Sequence, residues 1–133
     1  MKYELITQYC GRLNPGKWLP EKQEGNGTLE NPYIAPFVNY DETVMAFYKD
    51  FYSVYDTLPE NQQDYMNILK ANKIDMKPET IAKIDITDLD DYLIMNLFMA
   101  IIRQDRFCEG LMNEFIENGC FENWLEELKK KDK

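Results

Sequence analysis

The clearest hydrophobic pattern in the chain lies between residues 87 and 131. Thr87 can cap a helix, and the acids that follow it suit the partial positive charge of a helix start. We therefore predict a helix that begins at about Asp88. Its apolar residues recur at helical spacing, and Asn96 falls on the same spacing. Together they cover almost the whole circumference of the helix, as is typical of a buried helix. They are Leu89, Tyr92, Leu93, Ile94, Met95, Leu97, Phe98, Met99, Ala100, Ile101 and Ile102.

Two more amphipathic helices are predicted after this central one. Phe107, Leu111 and Phe115 share one face of the first, and Gly119 is expected to end it in the left-handed conformation. The second ends in three lysines, which suit the negative end of a helix. Its apolar face is formed by Phe121, Trp124, Leu125 and Leu128. Short connections favour helices that pack antiparallel or cross steeply.

The first half of the chain predicts shorter helices. Apolar periodicity indicates one over about residues 3–13, one from about Tyr40 to Thr57 and one over residues 61–71. Asn39 and Glu42 resemble a capping box for the second of these. A further helical turn is expected at Pro78, because proline is well suited to the first position of a helix.

Residues 14–39 lack a helical period, and a bare loop of that length is uncommon inside a compact domain. We predict a small β-hairpin here, with its turn at Gly25-Asn26-Gly27. Its strands are expected to be anchored by Trp18, Leu19, Leu29, Tyr33 and Ile34. The predicted fold is therefore mainly α, with residues 1–133 forming a single-domain bundle of about five to six helices.

Composition and charge narrow the classes of function. The net charge is −9, and residues 41–102 hold five basic and twelve acidic residues. Such a field repels phosphate backbones and anionic lipid surfaces, so neither nucleic acid nor a membrane is an expected partner. The chain has no histidine, which removes the usual zinc sites and Cys-His pairs, and we predict no metal and no cofactor. Three cysteines without paired spacing and no signal peptide favour a cytoplasmic location.

The best candidate site is a pair of arginines beside the central helix. The chain has three arginines, and Arg103 and Arg106 lie one helical turn apart. A guanidinium can bind a carboxylate or phosphate with two hydrogen bonds, or form a partly buried ion pair. Two interpretations remain open. The favoured one is a structural lock, in which the arginines hold Glu109, Glu114, Glu117 or helix-end carbonyls; the other is a site for an anion.

Two neighbouring features extend this candidate site. Cys108 is expected to be a buried, inert thiol, because cysteine is among the most buried residue types. Tyr48, Tyr52, Tyr55 and Tyr65 form a tyrosine-rich patch that is interpreted as the rim of the core. A protein interface through Tyr48, Tyr52 and Tyr55 is the alternative. These three tyrosines and Trp124 exceed what a core of this size needs, so we expect either a weak homodimer or a monomer with a partner site.

The sequence Arg103-Gln104-Asp105-Arg106-Phe107-Cys108-Glu109-Gly110 resembles a family of small uncharacterised bacterial proteins. The family pattern is Arg-x-Glu-Arg-Phe-Cys-Asp/Glu-Gly, followed by a helix, a glycine and a leucine-rich last helix. This chain departs from the pattern by Asp105 in place of glutamate, and the resemblance covers roughly residues 88–130. It implies that Arg103, Arg106, Phe107, Cys108, Glu109 and Gly110 form a shared patch. It implies no activity.

These observations leave two hypotheses about function. The favoured one is a non-enzymatic, cytoplasmic bacterial domain that binds a protein partner or a small ligand. The alternative is a small enzyme that uses Arg103, Arg106, Cys108 and Glu109 on an anionic substrate, although no catalytic residue is assigned.

Overall fold

The structure is a computed structural model that describes residues 2–19, 25, 27–30 and 36–132. Within these residues the chain forms seven α-helices, one 3₁₀ turn and a two-stranded antiparallel sheet. The elements are α1 (Glu4–Thr7), β1 (Lys17–Leu19), β2 (Phe37–Asn39), α2 (Glu42–Tyr55), the 3₁₀ turn (Glu60–Gln62), α3 (Tyr65–Ala71), α4 (Pro78–Ile81), α5 (Asp91–Asp105), α6 (Leu111–Glu117) and α7 (Cys120–Lys131). The predicted mainly α fold with a small hairpin between the first two helices is confirmed.

Helix α5 is the central helix, and its residues 93–102 are all buried. It begins three residues later than predicted, because Asp90 and not Thr87 is the cap: the Asp90 side chain accepts a hydrogen bond from the N–H of Leu93 at 2.8 Å. Thr87 instead donates through its backbone N–H and its hydroxyl to Asp85, at 3.0 and 2.7 Å. None of the helices in the described residues has the length and apolar composition needed to cross a membrane.

An aromatic cluster around Phe98 of α5 forms the middle of the core. Its ring centroid lies 4.8 Å from that of Phe121, 5.0 Å from that of Trp124 and 5.5 Å from that of Phe51. Because aromatic pairs add to the free energy of apolar burial, this cluster ties α2, α5 and α7 together. The predicted faces of these three helices therefore meet in one core.

One buried polar residue fixes the register of α2 against α5. Asn96 is fully buried, and its Oδ1 accepts a hydrogen bond from the Tyr55 hydroxyl at 2.7 Å. Its Nδ2 donates to the carbonyls of Gln62 at 3.1 Å and Tyr92 at 2.8 Å. A buried amide is costly unless its hydrogen bonds are made, and here both of its polar atoms are used.

The predicted helices of the first half have different bounds in the structure. The helix predicted over residues 61–71 is a 3₁₀ turn, Glu60–Gln62, followed by α3, which starts at Tyr65. Helix α1 ends at Thr7 and continues only as turns, and Gly11 has a φ of +75° with its N–H bonded to the carboxylate of Glu122 at 2.8 Å. Helix α2 starts two residues later than predicted. Its cap is Asp41, which accepts from the N–H of Val44 at 2.9 Å, so the predicted capping box with Asn39 is wrong.

The β-hairpin differs from its prediction in its second strand. Trp18 of β1 pairs with Val38 of β2, whereas Leu29, Tyr33 and Ile34 were expected to anchor the strands. Leu29 is fully exposed and lies outside both strands. Residues 26 and 33–34, which belong to the predicted turn and second strand, lie outside the described residues.

Candidate functional site

Residues 103–110, here called the arginine turn, join α5 to α6. Arg103 lies in the last turn of α5, and Arg106 is its C-cap residue. Beyond it, the N–H groups of Phe107 and Cys108 both bond to the carbonyl of Gln104, at 3.0 Å each. The arginine turn is therefore a compact continuation of α5 and not a loose loop.

Neither arginine of this turn is held by an acid. Both side chains are exposed, and within the described residues no ion pair or hydrogen bond reaches either guanidinium. The lock that was predicted between Arg103 or Arg106 and Glu109, Glu114 or Glu117 is not formed by these residues. In a chain of net charge −9, two guanidiniums one helical turn apart that have no ion-pair partner among the described residues are a local exception.

Acidic side chains lock the turn in place of the arginines. The Oδ1 atom of Asp105 accepts a hydrogen bond from the N–H of Met112 at 2.9 Å, which satisfies one of the free donors at the start of α6. Burial raises the pKa of Asp105 and outweighs the opposing effect of the Met112 N–H. Glu109 Oε1 accepts from the N–H of Val38 at 2.8 Å and so fastens β2 to the turn.

Gly110 supplies a third part of this lock. Its φ of +88° is left-handed, and a Cβ atom placed on it would lie 2.3 Å from Cζ2 of Trp18. Only glycine has both the conformational freedom and the absent side chain that this contact requires. The indole of β1 therefore packs directly on the backbone where α6 begins.

Asn113 joins the hairpin to α6 and was not singled out from the sequence. It is buried, its Oδ1 accepts from the N–H of Gly16 at 2.7 Å, and its Nδ2 donates to Glu117 at 3.3 Å. The available signal was its position between Met112 and Phe115, where an apolar side chain would be expected. A polar residue on a buried face points to a specific hydrogen bond.

Phe107 and Cys108 are placed on the surface, contrary to expectation. The Phe107 side chain is 92% exposed, and Cys108 is exposed where it was predicted to be buried. The prediction carried the apolar period of α6 back to residue 107. However, α6 starts only at Leu111, and the left-handed conformation of Gly110 interrupts the helical periodicity between Phe107 and α6. Phe107 therefore follows the geometry of α5 and points away from the core.

The tyrosine patch divides into core and surface. Tyr55 is 4% exposed and is engaged by Asn96, so it is a core residue and not part of an interface. Tyr48 and Tyr52 are only partly buried, and their ring centroids are 5.1 Å apart. The candidate interface on α2 is therefore reduced to Tyr48 and Tyr52.

Tyr52 of this pair has a buried hydroxyl whose neighbour is Tyr48. Burial and the neighbouring Tyr48 raise the pKa of Tyr52, whereas the positive charges of Arg103 and Arg106 act to lower it.

The exposure of Cys108 leads to a prediction about thiol reactivity. We expect iodoacetamide near neutral pH to label Cys108 first, by about tenfold over the other two thiols, since reactivity follows exposure and the thiolate fraction. Burial raises the pKa of both Cys10 and Cys120, which lowers their thiolate fractions. Mass spectrometry of timed samples measures the three rates. Faster labelling of Cys10 or Cys120 would contradict the placement of the arginine turn.

The fold and the site define a mainly α-helical protein with an exposed, internally locked arginine turn. The chain belongs to a family of unknown function (DUF6508), whose model matches residues 2–132. A family without assigned activity was expected, and the match extends well beyond the region of residues 88–130 covered by the motif. Comparisons with curated proteins and with solved structures find no match.

Proposed function

We propose that this protein is a non-enzymatic binding domain that recognises a protein partner through the arginine turn. The observation that carries the proposal is Phe107, whose side chain is 92% exposed although it lies in a turn held by at least three specific contacts. A phenyl ring in water gains nothing for folding, whereas burying it in a pocket of a partner is favourable. Aromatic residues and arginines are the residue types that dominate binding energy at interfaces.

The rigid support of the turn adds to this argument. Asp105, Glu109 and Gly110 fix the backbone on either side of Phe107 in the free protein. A contact residue that is already ordered loses less conformational entropy when a partner binds. The turn therefore has the organisation of a preformed binding element.

The enzymatic alternative has less support. Cys108 has no histidine to serve as its base, because the chain has none. The Glu109 carboxylate is engaged by the backbone of Val38, so its role is structural in the free protein. The proposal places the domain in a reducing compartment such as the cytoplasm, in agreement with its three free cysteines.

The test is a selection of peptides from a phage-displayed library of random sequences against the immobilised full chain. We expect enriched peptides that bind the wild type and lose about 30-fold in affinity for Phe107→Ala, the size of effect seen at interface hot spots. The melting temperature should not change, because the ring makes few contacts in the free protein.

Met66→Ala provides a matched control for this substitution. Met66 is also a large exposed apolar residue, at 57%, but it lies on α3. Its replacement should leave the affinity of the selected peptides unchanged. The proposal fails if no peptide is enriched, or if the enriched peptides bind Phe107→Ala as tightly as the wild type.

A further inference from the structure

We propose that a cavity beside α3 binds a small amphipathic anion, an apolar chain that ends in a carboxylate. The cavity has a volume of about 500 Å³ and is lined by α3 and by residues 73–76 of the loop that leads to α4. Its volume falls within the range of roughly 300–1,000 Å³ that is usual for small-molecule sites. The described residues that line it all lie outside the arginine turn, so this is a second site, independent of the proposed function.

The apolar part of the lining is formed by Met66, Ile74 and Met76. Met66 is 57% exposed, whereas Ile74 and Met76 are half-buried and pack against the core. Methionine side chains are flexible and fit irregular apolar surfaces. Covering such exposed apolar area with a hydrocarbon chain is favourable. These three side chains therefore suit the apolar part of the ligand.

The charged residues of the lining suit the head group of the ligand. Lys70 and Lys73 contribute two positive charges and Asp75 one negative charge, which leaves one net positive charge. Neither lysine makes an ion pair within the part of the chain that the structure describes, and Oδ1 of Asp75 accepts from the N–H of Lys77 at 3.0 Å. A carboxylate carries one negative charge, so it matches this balance better than a phosphoryl group, which carries nearly two.

The backbone of Lys73 gives separate support. Its φ of +60° is left-handed, and every other described residue with a positive φ is a glycine. The residue closes α3, because the N–H of Ile74 bonds to the carbonyl of Leu69 at 2.9 Å and that of Lys73 to the carbonyl of Lys70 at 3.0 Å. Glycine usually fills this position, since a side chain there is strained, and such strain is frequent at ligand sites. Lysine adds nothing to the turn that glycine would not provide, whereas its charge serves the cavity.

The wall of the cavity is fixed before any ligand binds. Nε2 of Gln104 donates to the carbonyl of Met76 at 2.9 Å, which ties the loop to α5. The hydrogen bonds made by Ile74 and Asp75 hold the same loop at its start and middle. Side chains that are already ordered lose less conformational entropy when a ligand binds. The cavity is therefore preformed.

The experiment titrates the full chain with sodium octanoate, below the concentration at which it forms micelles. Two-dimensional NMR of the backbone N–H groups reports binding, and we expect saturable shifts that are largest at residues 66–76. Hexanoate should bind at least threefold more weakly, because it has two fewer methylene groups, each contributing up to about fourfold in affinity. The neutral analogue 1-octanol should bind about tenfold more weakly, because it forms no ion pair with either lysine.

Variants of Lys73 separate a role in binding from a role in folding. Lys73→Gln should lower the affinity for octanoate by about threefold, the effect of losing one exposed ion pair. Lys73→Gly should lower it by the same factor but keep or raise the melting temperature, because glycine adopts the left-handed conformation without strain. Lys49→Gln is the matched control, since Lys49 is an exposed lysine of α2 that does not line the cavity. It should leave the affinity unchanged.

Four results would overturn the inference. They are an absence of saturable shifts, shifts that are largest at residues 103–110, equal affinities for octanoate and 1-octanol, and Lys73 variants that bind octanoate no more weakly than Lys49→Gln does. The peptide selection is a separate measurement. If Phe107-dependent peptides are enriched but octanoate does not bind, the cavity site alone is rejected. If octanoate binds but no peptide is enriched, the proposed function is rejected and the cavity site stands.

Discussion

Replacing Gly110 with alanine is expected to lower the free energy of unfolding by about 2–5 kcal/mol. The left-handed backbone accounts for about 1–2 kcal/mol of this loss. Steric overlap accounts for a further loss of about 1–3 kcal/mol, the usual cost of overpacking. The added Cβ would lie 2.3 Å from Cζ2 and 2.7 Å from Cη2 of Trp18, so the indole must move. Urea denaturation of both proteins measures the difference.

Gly119→Ala separates the two contributions. Gly119 has a φ of +83°, close to the +88° of Gly110, but a Cβ atom on it would have no neighbour within 4 Å. Its replacement should therefore lower the free energy of unfolding only by the contribution of the left-handed backbone, about 1–2 kcal/mol. Equal losses in the two variants would show that Trp18 does not constrain Gly110. In that case only two of the three contacts proposed to hold the arginine turn rigid would remain.

The sequence predicts the core of this protein well, because long periodic segments have a strong signal. The buried faces of α2, α5 and α7 were all expected, and Gly119 is left-handed as predicted. Helix starts were less accurate. Several acids and hydroxyls near residues 85–91 can each serve as a cap, and tertiary packing selects Asp90 among them.

The hairpin shows where local sequence signals are insufficient. Its strands have three residues each, which is too short for an alternating pattern to be recognised. The positions of both strands depend on contacts with distant residues: the Glu109 carboxylate bonds to Val38 of β2, and the Gly110 backbone lies under Trp18 of β1. Sequence spacing alone cannot reveal such pairings.

The residues that lock the arginine turn differ from those predicted. Arginine was expected to lock the turn because it is suited to ion pairs, yet shorter acidic side chains form the lock. Asp105 and Glu109 bond to backbone N–H groups, which a guanidinium cannot do because it has no acceptor. Consequently the turn is ordered without the arginines. Arg103 and Arg106 make no ion pair within the part of the chain that the structure describes.

Asn96→Leu is expected to be the other strongly destabilising substitution, at about 3 kcal/mol or more. Leucine fills a similar volume but leaves the Tyr55 hydroxyl and the Gln62 carbonyl without their partners. Each buried group that loses its hydrogen bond costs about 1–3 kcal/mol. Denaturant unfolding, followed by circular dichroism, gives the free energy of unfolding for each variant.

A double-mutant cycle with Tyr55→Phe tests this explanation. In Asn96→Leu/Tyr55→Phe the unpaired hydroxyl is absent, so the combined loss should be smaller than the sum of the two single losses by about 1–2 kcal/mol. Strictly additive losses would show that the hydrogen bond of 2.7 Å between these residues contributes no coupling.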